Sequence, residues 1–319
     1  MTFSTDTKNE LTHVEPDKKC CMLAEITGFL RMCGSINLAG GGRMDIKLST
    51  DNPAVARLFI KLIKGYFGTK VDLSIGEASV LKKGHSYELT ITSRMNAEQI
   101  LRETGILRVK EGSNYISDGI YPDIIKKRCC KKACLRGIFL GSGIISDPGK
   151  GYHLELVCAS EYMAHEVKKL VNSFGLKSKV SLRKNQYLVY LKEGEQIIDF
   201  LNILGAHGQL FQFENVRIVR EMRNKANRIS NCESANVDRT VNTAGKQIES
   251  IERIRRIRGL SSLPPKLWEA ARLRLENPEA SLAELAELAD PPMKKSGMNH
   301  RLKKLEEIAG RLREPETGH

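Results

Sequence analysis

Apolar residues three and four positions apart mark helices in this chain, and alternating ones mark strands. Met22, Ile26, Phe29 and Leu30 form one helical stripe over roughly residues 18–32. Gly40-Gly41-Gly42 reads as a turn between short strands, and Met44, Ile46 and Leu48 share one strand face. Asp51 is placed to cap a helix from Asn52 to Phe67, with Pro53 in its first turn. Strands near Val71–Ile75 and Tyr87–Thr92 and a helix near Ala97–Glu103 follow. The course is then repeated. A helix over about Pro122–Leu140 precedes strands near Gly143–Ser146 and Tyr152–Cys158. Ser160 and Glu161 open a helix to about Phe174. Strands at Lys179–Leu182 and Tyr187–Leu191 lead to a helix at Glu195–Leu204. Each copy reads helix, two strands, helix, two strands, helix. The copies are in step: Cys20-Cys21 and Gly28 stand 109 residues before Cys129-Cys130 and Gly137. Phe67-Gly68 likewise answers Phe174-Gly175. Glu111–Asn114 marks the join. A repeat of this length predicts duplicated architecture and a pseudo-two-fold surface suited to a duplex.

Beyond Gly208 the strand-like alternation stops. Asn215–Arg228 is a basic amphipathic helix candidate, and Ser230–Ala244 reads as a polar connector. Lys246–Arg258 places Ile248, Ile251 and Ile254 on one face with arginines around it. Pro264-Pro265 fits a helix start running through Trp268 to Glu276. Ser281-Leu282-Ala283-Glu284 has the form of a capping box, and the short helix it opens must stop at Asp290-Pro291-Pro292. Ser296 is placed to cap a last helix, to about Leu312. There Met298, Leu302, Leu305 and Ile308 make a core stripe, while Ser296, Asn299, His300 and Lys303 point away from it and Lys304 lies at the edge. Two helices with a tight break, the second presenting polar and basic residues outward, form the helix-turn-helix pattern. The expected division is an N-terminal tail (1–17), a duplicated domain (18–208, repeats about 18–110 and 121–206), a basic helical connector (209–245) and a helix-turn-helix domain (246–319).

Composition narrows the chemistry. The 319 residues are 41% hydrophobic, enough for a packed core. No apolar stretch approaches the ~18 residues that span a bilayer, and residues 1–17 lack the apolar segment of a signal peptide. The expected location is therefore cytoplasmic and nucleoid-associated, without a membrane partner. The formal charge of +13 points to a polyanion. Residues 217–258 hold eleven Lys or Arg against five acids, with Arg253, Arg255, Arg256 and Arg258 clustered. The eight cysteines include no C-x-x-C pair. They read as buried reduced thiols, so no metal and no cofactor is expected.

Gly137-x-x-x-Gly141 removes two side chains from one helix face and lets another helix approach at backbone contact. The helix carrying Gly28 is the expected partner. Leu135-Arg136-Gly137-Ile138-Phe139-Leu140-Gly141-Ser142-Gly143 resembles the LAGLIDADG motif of homing endonucleases, and Ile26–Gly34 resembles a decayed copy. The resemblance implies two αββαββα halves packed through the motif helices, with the strands forming a saddle over DNA. It also implies one metal-binding carboxylate per motif, just before the final glycine. Those positions here are Cys33 and Ser142, which cannot supply the two negative charges that hold a divalent cation. Asp147 has no counterpart after Gly34 and reads as part of an Asp147-Pro148-Gly149 turn.

The whole combination resembles the bacterial WhiA family, on Asn231–Asn236, Leu263-Pro264, Ser281–Leu285, Asp290-Pro291-Pro292 and Lys295–Leu302. The fold class expected is α+β: a two-repeat LAGLIDADG-like saddle followed by an all-α helix-turn-helix domain. The resemblance implies transcription control in sporulation, or roles in cell division and chromosome segregation, through double-stranded DNA at promoter or chromosomal sites. No catalytic residue is expected. Asn299 suits adenine and Lys303 or Arg301 suits guanine. Lys294, Lys295 and Lys304 suit phosphates. Ser281, Ser296, His300 and the four clustered arginines complete the expected DNA-binding set. Two other readings are an endonuclease using other residues, and a saddle that binds a partner protein instead of DNA.

Overall fold

A computed structural model of the chain describes residues 2–39, 43–77 and 85–312. The Gly40-Gly41-Gly42 turn lies outside the described residues. The chain divides into two units, one ending at Glu221 and the other beginning at Met222.

The first unit starts with helix α1 (Phe3–Leu11), where the sequence reading placed a polar tail. The Thr2 side chain caps it, and Phe3, Thr7 and Leu11, spaced one turn apart, are its buried residues. Helix α2 (Lys19–Cys33) opens the first repeat, followed by β1 (Gly34–Ala39), β2 (Arg43–Thr50), α3 (Pro53–Phe67), β3 (Asp72–Glu77), β4 (His85–Ile91) and α4 (Ala97–Glu103). The cap of α3 is Asn52, not Asp51: the Asn52 Oδ1 accepts from the N–H groups of Ala54 at 2.8 Å and Val55 at 3.3 Å. Strands β5 (Leu107–Lys110) and β6 (Ser113–Ile116) then form a hairpin that the sequence reading missed. Its turn residues, Glu111 (φ 52°) and Gly112 (φ 80°), are both left-handed, as a tight hairpin requires.

The second repeat runs α5 (Arg128–Ser142), β7 (Gly143–Ile145), β8 (Leu154–Cys158), α6 (Glu161–Asn172), β9 (Lys179–Arg183), β10 (Gln186–Leu191) and α7 (Gly194–Leu204). The antiparallel sheets have matching orders, β1-β2-β4-β3 and β7-β8-β10-β9. Ile46 opposite Ile91 and Leu48 opposite Leu89 turn one face of the first sheet into the core. Leu154, Leu156, Val189 and Leu191 do the same in the second. Alternation sends Lys47, Glu88, Glu155 and Lys179 to the opposite faces.

Helix α8 (His207–Arg258) is continuous over 52 residues. The polar pattern of residues 230–244 predicts a connector between two helices, where the structure has one helix. Nothing between Gln209 and Ala244 stops a helix, since the span contains neither proline nor glycine. Residues 221–236 of it are exposed. In the second unit, α8 contributes Ile251 and Ile254 to a core shared with α9 (Pro265–Glu276), α10 (Leu282–Glu287) and α11 (Lys295–Arg311).

Candidate nucleic-acid interface

The pseudo-two-fold centre of the first unit is the α2–α5 crossing. A Cβ on Gly28 would stand 2.2 Å from the Cys134 carbonyl oxygen, and one on Gly137 would stand 2.1 Å from that of Glu25. Gly141 leaves room for the Met32 side chain. The glycines are therefore the condition for backbone contact between the motif helices. Buried beside them, the Arg136 guanidinium donates to both carboxylate oxygens of Glu25, with Nε at 2.9 Å from Oε1. Burial raises the Glu25 carboxyl above its usual range, and Arg136 opposes that rise.

Cys33 and Ser142 are the last residues of α2 and α5. Each turns back on its own helix. The Cys33 thiol donates to the Phe29 carbonyl at 3.2 Å, and the Ser142 hydroxyl donates to that of Ile138 at 3.5 Å. Burial pushes the Cys33 thiol up, so it is neutral at ordinary pH. Asp147 is engaged in its own turn, where its Oδ1 accepts from the Gly149 N–H at 2.8 Å. The motif ends thus present no carboxylate pair to a cation.

At the opposite ends of the same helices, the structure brings four cysteines together. Cys20, Cys21, Cys129 and Cys130 converge, and their sulfurs all lie within 4.8 Å of one another. Ligand spacing along the chain does not reveal this cluster. The signal was the repeat itself, which sets two cysteine pairs at one position of two abutting helices. Burial raises the Cys21 thiol, and Cys21 donating a hydrogen bond holds Cys129 low.

In the second unit, Ser281 and Glu284 form the predicted capping box. The Glu284 carboxylate accepts from the Ser281 N–H at 2.7 Å, and the Ser281 Oγ accepts from the Glu284 N–H at 3.3 Å. The Ser281 N–H holds the Glu284 carboxyl below its usual range. Beyond α10 the turn closes through the Met293 N–H on the Ala286 carbonyl at 2.9 Å, with Ala289 buried beneath it. Met298, Leu302, Leu305 and Ala309 are the buried stripe of α11; Ile308 is only half-buried. Lys294 occupies the N-cap of α11 without a side-chain cap, so Ser296 does not cap this helix. Glu269 of α9 fastens the motif, accepting from the Asp290 N–H and from Arg301, each at 2.9 Å.

Three family models tile this architecture. The WhiA N-terminal LAGLIDADG-like domain matches residues 19–107, the WhiA LAGLIDADG-like domain residues 131–223, and the WhiA C-terminal HTH domain residues 226–309. A relative from Alkaliphilus metalliredigens (strain QYMF), named "Probable cell division protein WhiA", is 44% identical over 98% of this chain and 99% of its own length. The chain belongs to the WhiA family. A relative of the same name from Alkaliphilus oremlandii (strain OhILAs) is 46% identical over 98% of each chain. The crystal structure described as full-length DUF199/WhiA from Thermatoga maritima is 26% identical, with a TM-score of 0.60, over 99% of this chain and 100% of that one. The LAGLIDADG-like repeats and the helix-turn-helix domain are therefore those of a WhiA-family member.

The structure sorts the expected DNA-binding residues. Lys294, Lys295, Ser296, His300, Lys303 and Lys304 are exposed, and Asn299 is half-buried. Ser296, Asn299, His300 and Lys303 recur at one-turn spacing on the outward side of α11. Exposed Glu307, one turn past Lys303, ends this basic face. Arg301 is spent on Glu269, and Ser281 on its cap. Arg253 donates to the Leu312 carbonyl at 2.8 Å, and Arg255 pairs with Glu252 at 2.7 Å. Arg256 and Arg258 are exposed on α8. Among the described residues, no helix is long and apolar enough to cross a membrane.

Proposed function

We propose that this WhiA-family protein is a non-catalytic, sequence-specific DNA-binding regulator of transcription acting in cell division and chromosome segregation, and that it works at the nucleoid in the cytoplasm. The carrying observation is the outward face of α11, on a helix fastened by its buried stripe and by Glu269. Asn299 reads adenine and Lys303 reads guanine, each good pair discriminating by roughly 1–3 kcal/mol. Ser296 and His300 complete the groove face. Lys294, Lys295, Lys304, Arg256 and Arg258 meet phosphates and fix register. Arg301, Arg253 and Arg255 support the fold, and we leave them out of the contact set. Residues 246–319 form the reading domain. The relatives' names support the cell-division role over sporulation. The absence of a carboxylate pair at Cys33 and Ser142 supports a non-catalytic protein.

A second reading rests on the sheet surfaces. The outer face of the first sheet sets Asp45, Asp72 and Glu88 against Arg43 and Lys47, with Lys47 and Glu88 paired at 3.0 Å. Among the described residues that face has no excess of positive charge to hold phosphates, which favours a protein partner for this half of the saddle.

The test maps bound sites genome-wide for the intact chain and for Asn299→Ala/Lys303→Ala, with anisotropy titrations on the strongest site. The double variant is expected to lose specific sites and keep nonspecific affinity. Unchanged site occupancy would remove α11 from the groove.

A further inference from the structure

We propose that Cys20, Cys21, Cys129 and Cys130 form a tetrathiolate site for a single zinc ion, which clamps the two repeats together at the N-terminal ends of their motif helices. The four sulfurs lie within 4.8 Å of one another. Four sulfurs at the ~2.3 Å zinc–thiolate bond length stand about 3.8 Å apart at the corners of a tetrahedron. Reaching that arrangement takes contraction of an ångström or less. A four-iron cluster places iron atoms between its thiolates and needs a wider cage, so the spacing favours one ion.

The helix ends suit the ligands. The cysteines are the second and third residues of α2 and α5. In a first turn the Cα–Cβ bonds lean toward the N-terminus, so adjacent cysteines both reach past the helix end toward the partner helix. Pseudo-two-fold symmetry then delivers two ligands from each side. No side chain caps either helix. The partial positive charge of a helix N-terminus favours thiolate. Lys18 and Lys19 precede the first pair, and Lys127 and Arg128 the second. Their charge offsets the two net negative charges of a zinc tetrathiolate. With four protein ligands the site is closed, which marks a structural ion. It also lies about 18 Å along the helices from Cys33 and Ser142, at ~1.5 Å rise per residue, and so is separate from the motif ends.

Binding exchanges the thiol protons for the ion and leaves the sulfurs' oxidation state unchanged. The test uses the full chain purified in reducing buffer without chelator. Elemental analysis is expected to find about one zinc per chain, and the zinc-free protein to take up Co²⁺ with the strong visible bands of a tetrahedral tetrathiolate. Cys20→Ser/Cys129→Ser should lose the ion, while Cys232→Ser, at an exposed cysteine of α8, should keep it. Zinc should shield four cysteines from a thiol reagent and leave Cys232 reactive. Should the double variant fail to fold, the Co²⁺ spectrum and the shielding of the unaltered chain decide. A fully reduced chain that retains no zinc after incubation and gel filtration would overturn the site. So would iron in place of zinc, or a disulfide between the pairs in protein kept under reductant.

Discussion

Gly28 and Gly137 show how one missing methyl sets an architecture. An exposed helix gains about 1 kcal/mol from Gly→Ala. Here the added carbon would stand 2.2 Å from a backbone oxygen at Gly28 and 2.1 Å at Gly137. Overpacking of this kind costs about 1–3 kcal/mol and sometimes more, so the sign reverses. Gly28→Ala is expected to lower the urea midpoint, and Gly245→Ala, where a Cβ meets open space within 4 Å, to leave it level or raise it. Glu25 and Arg136 add a second dependence at the same crossing. Their side chains are 0% and 8% exposed, so deleting one strands the other's charge. Arg136→Ala should cost about 3–5 kcal/mol. Glu25→Leu/Arg136→Met should cost less than the sum of the single changes, which a double-mutant cycle on denaturation free energies measures. An additive result would mean that the two side chains do not act as a pair.

At the scale of elements, α10 is short enough that its cap matters. Ser281→Ala is expected to cost about 1 kcal/mol. The box also makes a pH prediction. Glu284 has its carboxyl held below the ordinary value of 4.5 by the Ser281 N–H. A depressed folded value stabilises the helix above pH 4.5, and that support disappears as pH falls through the depressed value. Amide exchange in α10 should accelerate over that window. Glu284→Gln, which keeps the hydrogen bond without the charge, should flatten the response. This box was legible in the sequence because its signals are local, as were the Ser160 cap of α6 and the periodicity of α2, α3 and α7. What the sequence concealed was tertiary. The polarity of residues 1–17 hid α1, whose burial is confined to three positions. The continuity of α8 was obscured because a polar stretch resembles a connector when no core face marks it. The hairpin β5–β6 was lost because its two left-handed turn residues are Glu-Gly rather than the usual Asn-Gly or Asp-Gly. The cysteine quartet needed the two repeats to be folded against each other before its members could be counted together.

For the whole molecule, the charge of +13 invites the expectation that every surface grips phosphate. The first sheet argues otherwise. On it, acids outnumber bases across the outward positions of β2, β3 and β4, and Lys47 is paired with Glu88. On the second, Lys179 and Arg183 share the outward side with Glu155. Among the described residues, the lysines of α11 meet no acid on their helix face before Glu307. Phosphate contacts carry the salt dependence of DNA binding, at a slope near −0.9 per neutralised phosphate on duplex. Lys294→Ser/Lys295→Ser/Lys304→Ser in the full chain is therefore expected to reduce the slope of log K against log salt by about 2–3. Lys47→Ser/Lys179→Ser/Arg183→Ser should change neither slope nor affinity beyond about twofold, a difference of ~0.4 kcal/mol. Equal losses from both sets would show the saddle holding duplex as well. Supercoiled plasmid incubated with the chain and Mg²⁺ or Mn²⁺ should stay intact in either case, because a neutral thiol and a hydroxyl end the motif helices. Nicking that disappears with EDTA would locate a cation site outside those ends and restore catalysis to the fold.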